Sequence, residues 1–113
     1  MTLSLDDYRV AQIARASSWG FVGNHLLVLL AIHRDPNATT RHIAAWAGIS
    51  QRAVQTIVRD LEADGYLTGT RDGRRNHYTI DTDRPIRDPA LRDRDVTVAQ
   101  LLELLTKPLP ASA

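Results

Sequence analysis

The stretch from Thr39 to Leu67, TTRHIAAWAGISQRAVQTIVRDLEADGYL, constrains this chain more than any other, because it reads as a helix, a tight turn and a second helix. In the first helix Ile43, Ala44 and Ala47 form an apolar face at helical spacing. Gly48 and Ile49 make the turn, and Ser50 is suited to cap a new helix by accepting a bond from a backbone N–H two or three residues on. The second helix divides its residues between two faces. Val54, Ile57, Val58 and Leu61 fall at i, i+3, i+4 and i+7, while Arg52, Gln55, Thr56 and Arg59 repeat the same spacing on the opposite side. The first face suits a core, and the second is available to a partner.

A chain of 113 residues suits one domain, and 43% hydrophobic residues suffice for a core, although so small a unit buries little surface. The formal charge of +1 does not by itself announce a polyanion as partner. Its distribution says more. Between Arg34 and Ile80 there are seven Arg against five acids, whereas Asp81 to Ala113 holds five basic and six acidic groups. Cysteine is absent, which removes disulfides, thiolate metal sites and cysteine nucleophiles together. The start, MTLSLDDYRV, has acids where a secretory signal carries Lys or Arg, and the longest apolar run, Leu26 to Ile32, is too short to span a bilayer. A soluble cytoplasmic protein with no membrane association is expected.

In chain order, Ser4 to Ser18 reads as an N-terminal helix or arm, with Val10, Ile13 and Ala14 as its apolar stripe. Trp19, Phe21 and Val22 form an aromatic cluster that suits a core or an interface. Asn24 is an N-cap candidate for the next helix, HLLVLLAIHR. That helix is apolar nearly all round and stops before Asp35-Pro36, because the Pro36 ring disfavours helical geometry at the preceding residue. Thr39 or Thr40 caps the next helix, and Gly65 in the left-handed conformation closes the one after it. Tyr66 to Ile80 changes to a strand pattern centred on Asp72-Gly73, a hairpin signal. A two-residue turn there pairs Arg71 with Arg74, Gly69 with Asn76 and Leu67 with Tyr78, and puts Leu67, Tyr78 and Ile80 on one face. The run from Asp81 to Asp95, DTDRPIRDPALRDRD, reads as an extended charged connector. Thr97 and Gln100 then form a T-x-x-Q capping box ahead of Val98, Leu101, Leu102, Leu104 and Leu105, a short apolar helix stopped by Pro108 and Pro110. So short a helix must dock on its own domain or on a second copy.

With helix, turn, helix and basic hairpin in this order, the sequence resembles the winged helix-turn-helix transcriptional regulators, particularly the small MarR-like proteins. The resemblance is best from Trp19 to Ile80. It rests on Ala44 four residues before Gly48, Ile49 in the turn, Val54 and Ile57 in the second helix, and then DLEADGYLTGTRDGRRNHYTI. The ending VTVAQLLELL is similar to the tail of compact members. The fold class it implies is mainly α with a small β-hairpin wing and flanking terminal helices. The division expected is residues 1–18 as an N-terminal helix or arm, 19–80 as the winged helix-turn-helix DNA-binding domain, 81–95 as connector, and 96–113 as C-terminal dimerisation helix and tail. The function it implies is a homodimer that inserts Ser50 to Asp64 into the major groove of double-stranded DNA and lays the Asp72–Asn76 hairpin along the backbone or minor groove.

On that reading Arg52, in the first turn of the recognition helix, can bond guanine O6 and N7 together, Gln55 can read adenine, and Thr56 can bond a phosphate or touch a thymine methyl. Arg59, one turn on, suits a phosphate, as do Ser50 and the free N–H groups at the helix start, and Gln51 completes the set of recognition-helix contacts. Asp60, Glu62 and Asp64 follow directly, so the contact ends near Arg59. In the wing, Arg71, Arg74, Arg75, Asn76 and His77 gather positive charge and donors around a turn that suits a narrow minor groove. Val98, Leu101, Leu102, Leu104 and Leu105 are the dimerisation candidates. The four histidines, His25, His33, His42 and His77, lack the close spacing of a zinc pair, so neither metal nor cofactor is expected, and His33 reads as a partly buried structural residue. No Gly-rich phosphate loop, nucleophile elbow or paired-carboxylate motif is present, and an enzyme is not expected. The alternative is a winged-helix module that binds a protein partner and touches DNA weakly or not at all, which the near-neutral charge favours. Nothing in the sequence names a small-molecule effector.

Overall fold

A computed structural model describes residues 22–73 and 75–108. The N-terminal arm, Trp19, Phe21, Arg74 and the tail beyond Pro108 lie outside the described residues. The chain forms two compact units, Met1–Ile80 and Asp81–Ala113. The described part of the first contains helices α1 (Asn24–Arg34), α2 (Thr40–Ala47) and α3 (Gln51–Ala63), followed by strands β1 (Leu67–Asp72) and β2 (Arg75–Ile80). The described part of the second contains a 3-10 turn, Pro89–Leu91, and helix α4 (Val98–Thr106).

Each helix of the first unit begins and ends for an identifiable local reason. Thr39 caps α2 by accepting the His42 N–H at 3.1 Å, and Ser50 caps α3 by accepting the Ala53 N–H at 3.0 Å. Between them Gly48 takes the left-handed conformation at φ 74°, and the N–H groups of Gly48 and Ile49 both reach the Ala44 carbonyl. A side chain is disfavoured at that φ, so glycine there sets the angle between α2 and α3. At the far end of α3, Gly65 stands at φ 81° while the Tyr66 N–H returns to the Leu61 carbonyl at 2.8 Å. The start of α1 differs from the sequence expectation. Gly23, not Asn24, is its N-cap, in extended geometry and without a side-chain bond, because the first helical bond runs from Leu27 N–H to the Gly23 carbonyl. Glycine costs only a few tenths of a kcal/mol, about, relative to a polar cap.

The three helices and β1 enclose one core. Val28 and Ile32 of α1, Ile43 and Trp46 of α2, and Val54 and Ile57 of α3 are all buried, with Leu67 joining them from β1. On α1 the buried side runs through Val28, Leu29, Ala31 and Ile32, while His33 is exposed, contrary to its reading as partly buried. It sits in the last turn with Arg34, where a basic group suits the negative end of the helix. Arg34 in turn stands over the ring of Trp46, 5.9 Å from its centroid.

The hairpin has a different register from the one read off Asp72-Gly73. Leu67 pairs with Ile80, Gly69 with Tyr78, Arg71 with Asn76 and Asp72 with Arg75, so the loop begins at Gly73 and not at Asp72. Gly73, at φ 62°, occupies the first loop position. The slip is two residues, so Leu67, Tyr78 and Ile80 still share a face. The observed register places apolar Leu67 opposite apolar Ile80, and it sets the Tyr78 ring over Gly69. A Cβ at Gly69 would lie 3.2 Å from the ring, which explains a residue without a side chain there.

In the second unit the charged segment is a folded loop, not an extended connector. Asp88 caps the 3-10 turn by accepting the Ala90 N–H at 2.9 Å, and Pro85 bridges to Thr97. The segment also serves the start of α4. Val98 N–H donates to the Arg84 carbonyl and Ala99 N–H to the Thr82 carbonyl, both at 2.9 Å. Thr97 and Gln100 form the full capping box, with Gln100 N–H on the Thr97 hydroxyl at 3.3 Å and Thr97 N–H on the Gln100 side chain at 2.9 Å. The N–H groups that a helix start leaves open are thus satisfied by the preceding loop. Val98 and Leu102 are buried, Leu101 is half-buried, and Leu104 and Leu105 are exposed at 73% and 39%. No helix among the described residues is long and apolar enough to cross a membrane.

Candidate nucleic-acid interface

The two faces of α3 separate as the periodicity requires. Val54, Ile57, Val58 and Leu61 are buried, and Ser50, Gln51, Arg52, Gln55, Thr56 and Arg59 are all exposed. The core face fixes the helix against α1, α2 and β1, so the polar face is held on a rigid element. Among the described residues the guanidinium groups of Arg52 and Arg59 have no hydrogen-bond or ion-pair partner. Thr56 differs, since its hydroxyl donates to the Arg52 carbonyl at 3.2 Å and its methyl group is left to meet a partner. Ser50 accepts the Ala53 N–H, which leaves its own hydroxyl proton to donate.

The acids in the second half of α3 are turned toward the protein's own elements. Asp60 meets His25 of α1, Oδ2 to Nε2 at 2.8 Å, across an exposed surface. Glu62 stands beside the wing, its Oε2 3.7 Å from where a Cβ would lie on Gly69. Burial, helped by the Glu62 charge, pushes the Tyr78 phenol up from its ordinary value, against a hydrogen bond from Asn76. Negative charge therefore begins where the Arg-bearing surface ends.

In the wing, register divides the candidate residues between two faces. Arg71 and Asn76 pair with each other on the face that carries Leu67 and Tyr78, whereas His77 pairs with Thr70 on the other. Arg71 folds over the turn, its Nε donating to the Gly73 carbonyl at 3.1 Å, and Asn76 is engaged with the Tyr78 phenol. Arg75 begins β2 and is described by its backbone alone. The outer edge of β2 is tied to the loop between α1 and α2: Tyr78 N–H donates to the Pro36 carbonyl at 3.0 Å, and His77 Nδ1 lies 2.8 Å from Asn37 Oδ1. Asn37 carries no local signal of this role in the sequence, since its partner is forty residues away and Asp-Pro-Asn reads only as a turn.

Among the described residues no three His, Asp or Glu side chains are grouped to hold a metal ion. Comparison with curated proteins yields no match. A MarR family model does match, over residues 19–75, just over half of the 113. With three helices and β1 within that span, β2 completing the antiparallel hairpin after it, and the polar face of α3 exposed, this chain belongs to the MarR family and is a winged-helix transcription regulator.

Proposed function

We propose that the chain acts as a homodimer that reads a short, partly palindromic DNA site with half-sites about one helical turn apart. Each protomer inserts the N-terminal half of α3 into the major groove and lays the wing along the backbone or minor groove. The observation that carries this reading is the set of exposed polar residues on α3 opposite a fully buried apolar face. Arg52 takes guanine O6 and N7, Gln55 takes adenine, and Thr56, its hydroxyl committed inside the helix, offers its methyl to thymine. Arg59, Gln51, Ser50 and the open N–H groups of the first turn hold phosphates. Arg71, Arg74, Arg75, Asn76 and His77 supply the wing's contacts. Leu104 and Leu105, exposed on α4, carry the dimer contact together with half-buried Leu101, while Val98 and Leu102 support it from beneath.

Selection of bound sequences from a random duplex pool, with Arg52→Ala, Arg59→Ala and Arg74→Ala beside the parent, tests the reading. An enriched palindrome whose specificity relaxes in Arg52→Ala is expected. Its affinity should fall steeply with salt, because several phosphates lose their counterions on binding. Equal weak binding by all four proteins, insensitive to sequence, would favour a protein-interaction module instead. For the dimer, Leu104→Glu with Leu105→Glu should give a monomer by light scattering. A dimer that persists removes α4 from the interface.

A further inference from the structure

The loop that holds the wing does more than anchor its backbone. Asp35 Oδ1 accepts the Asn37 N–H at 3.1 Å, the Asp35 carbonyl accepts the Ala38 N–H at 3.0 Å, and Ala38 is buried, so Asn37 is presented from a fixed turn. Its Oδ1 then meets His77 Nδ1 at 2.8 Å. An amide oxygen only accepts, so Nδ1 must carry the proton. In a neutral imidazole the second nitrogen is then a bare lone pair. His77 is exposed, and its Nε2 has no partner among the described residues.

We propose that Asn37 is a positioning residue for the wing: it holds the neutral His77 imidazole with its proton on Nδ1, so that His77 bonds a DNA phosphate only after Nε2 has taken up a proton from solvent. The inference rests on the DNA reading above. Phosphate oxygens accept and do not donate, so a lone pair turned toward them repels, whereas an imidazolium N–H donates and adds a charge. The charged groups on the neighbouring elements are few. On β1 the cross-strand partner is uncharged Thr70, whose hydroxyl donates to the His77 carbonyl at 3.3 Å, and Arg71 is turned to Gly73. On the loop Asp35 spends a carboxylate oxygen on Asn37. Arg75 precedes His77 on its own strand, and Arg74 comes before it in the sequence.

Two measurements on the full chain test this. Imidazole nitrogen shifts by NMR should show neutral His77 protonated on Nδ1 in the parent and in Asn37→Asp, which keeps an acceptor, and on Nε2 in Asn37→Ala. Affinity for a duplex carrying the selected palindrome should fall as pH rises, by up to about tenfold per pH unit for each wing, the limit for one linked proton. That component should vanish in His77→Gln, which leaves His25, His33 and His42 in place as the background. It should shrink in Asn37→Ala, where the freed neutral imidazole already donates from Nε2 and protonation adds only its charge. A parent curve parallel to that of His77→Gln overturns the proposal, as does Asn37→Ala retaining the parent's tautomer or slope. If the parent binds the duplex specifically and weakens on Arg52→Ala, such a result removes the proposal alone. If parent and Arg52→Ala bind equally weakly at every pH, the DNA reading falls and the proposal with it.

Discussion

Ser50 caps α3 and, on the DNA reading proposed above, also meets a phosphate, so the two roles can be separated by substitution. Its Oγ accepts the Ala53 N–H at 3.0 Å from an extended N-cap conformation, and no side chain at position 50 other than a short acceptor can repeat that bond. Ser50→Ala should cost about 1 kcal/mol, the centre of the range for loss of an N-cap, since the freed N–H can turn to water at this exposed position. In a unit of this size that lowers the midpoint by about 4–8 °C, which thermal unfolding followed by circular dichroism resolves easily. Ser50→Asp also caps, and its charge suits the helix N-terminus, so its stability should equal the parent's or exceed it. The same charge would sit where a phosphate is expected. Two unit charges about 4 Å apart in water repel by about 1 kcal/mol, and the lost hydroxyl contact adds to this, so DNA affinity should fall by about tenfold. A Ser50→Ala midpoint equal to the parent's would refute the capping account. A stable Ser50→Asp that binds DNA as well as the parent would refute the placing of phosphate at the start of α3.

Neighbouring positions on α3 should respond in opposite ways: Ile57→Ala, which empties a buried site, should cost about 2–5 kcal/mol in denaturant unfolding, whereas exposed Gln55→Ala should leave stability within about 0.5 kcal/mol and relax base preference at one position of the selected site. Gly48→Ala, forced to φ 74°, should lower stability by about 1–2 kcal/mol, measurable by the same unfolding. The Tyr78 phenol is raised in the folded state, so its contribution is fully present below the unfolded phenol value and is lost as pH rises through the folded one. Glu62→Gln removes one cause of the shift. An ultraviolet phenolate titration should then move toward lower pH, and alkaline destabilisation should be smaller than in the parent.

Local capping chemistry was legible because it is written within a few residues. Thr39, Ser50 and the Thr97–Gln100 pair act as their spacing predicts, and Gly48 and Gly65 take the left-handed conformations expected of them. The two faces of α3 were legible for the same reason, since burial follows a period of 3.6 within one helix. What depends on distant residues was not. The hairpin slipped by two, a change that alternation cannot register because it returns every side chain to its own face. The fit of the Tyr78 ring over Gly69 and the positive φ of Gly73 in the first loop position both accompany the observed register. The charged run after Ile80 looked extended because its carbonyl bonds to Val98 and Ala99 leave no trace in side-chain pattern. Asn37 gave no sign of its tie to His77 for the same reason.

The near-neutral charge that favoured a protein-interaction module loses force once the acids are located. Asp60 is spent on His25 and Glu62 lies against the wing, so two of the five acids between Arg34 and Ile80 are directed at the chain's own elements. Asp35 likewise holds the Asn37 turn. Arg52 and Arg59 have no such partners among the described residues, and a cation without a counter-charge projects the stronger field. Acids near the C-terminal end of α3 oppose its dipole at a cost of about 0.3–1 kcal/mol each, a local conflict that core packing alone does not require. Their effect on a bound duplex is directional. On the DNA reading proposed above, repulsion from the acidic end would favour approach by the N-terminal end, where Ser50, Gln51 and Arg52 stand, and would set which way the helix enters the groove.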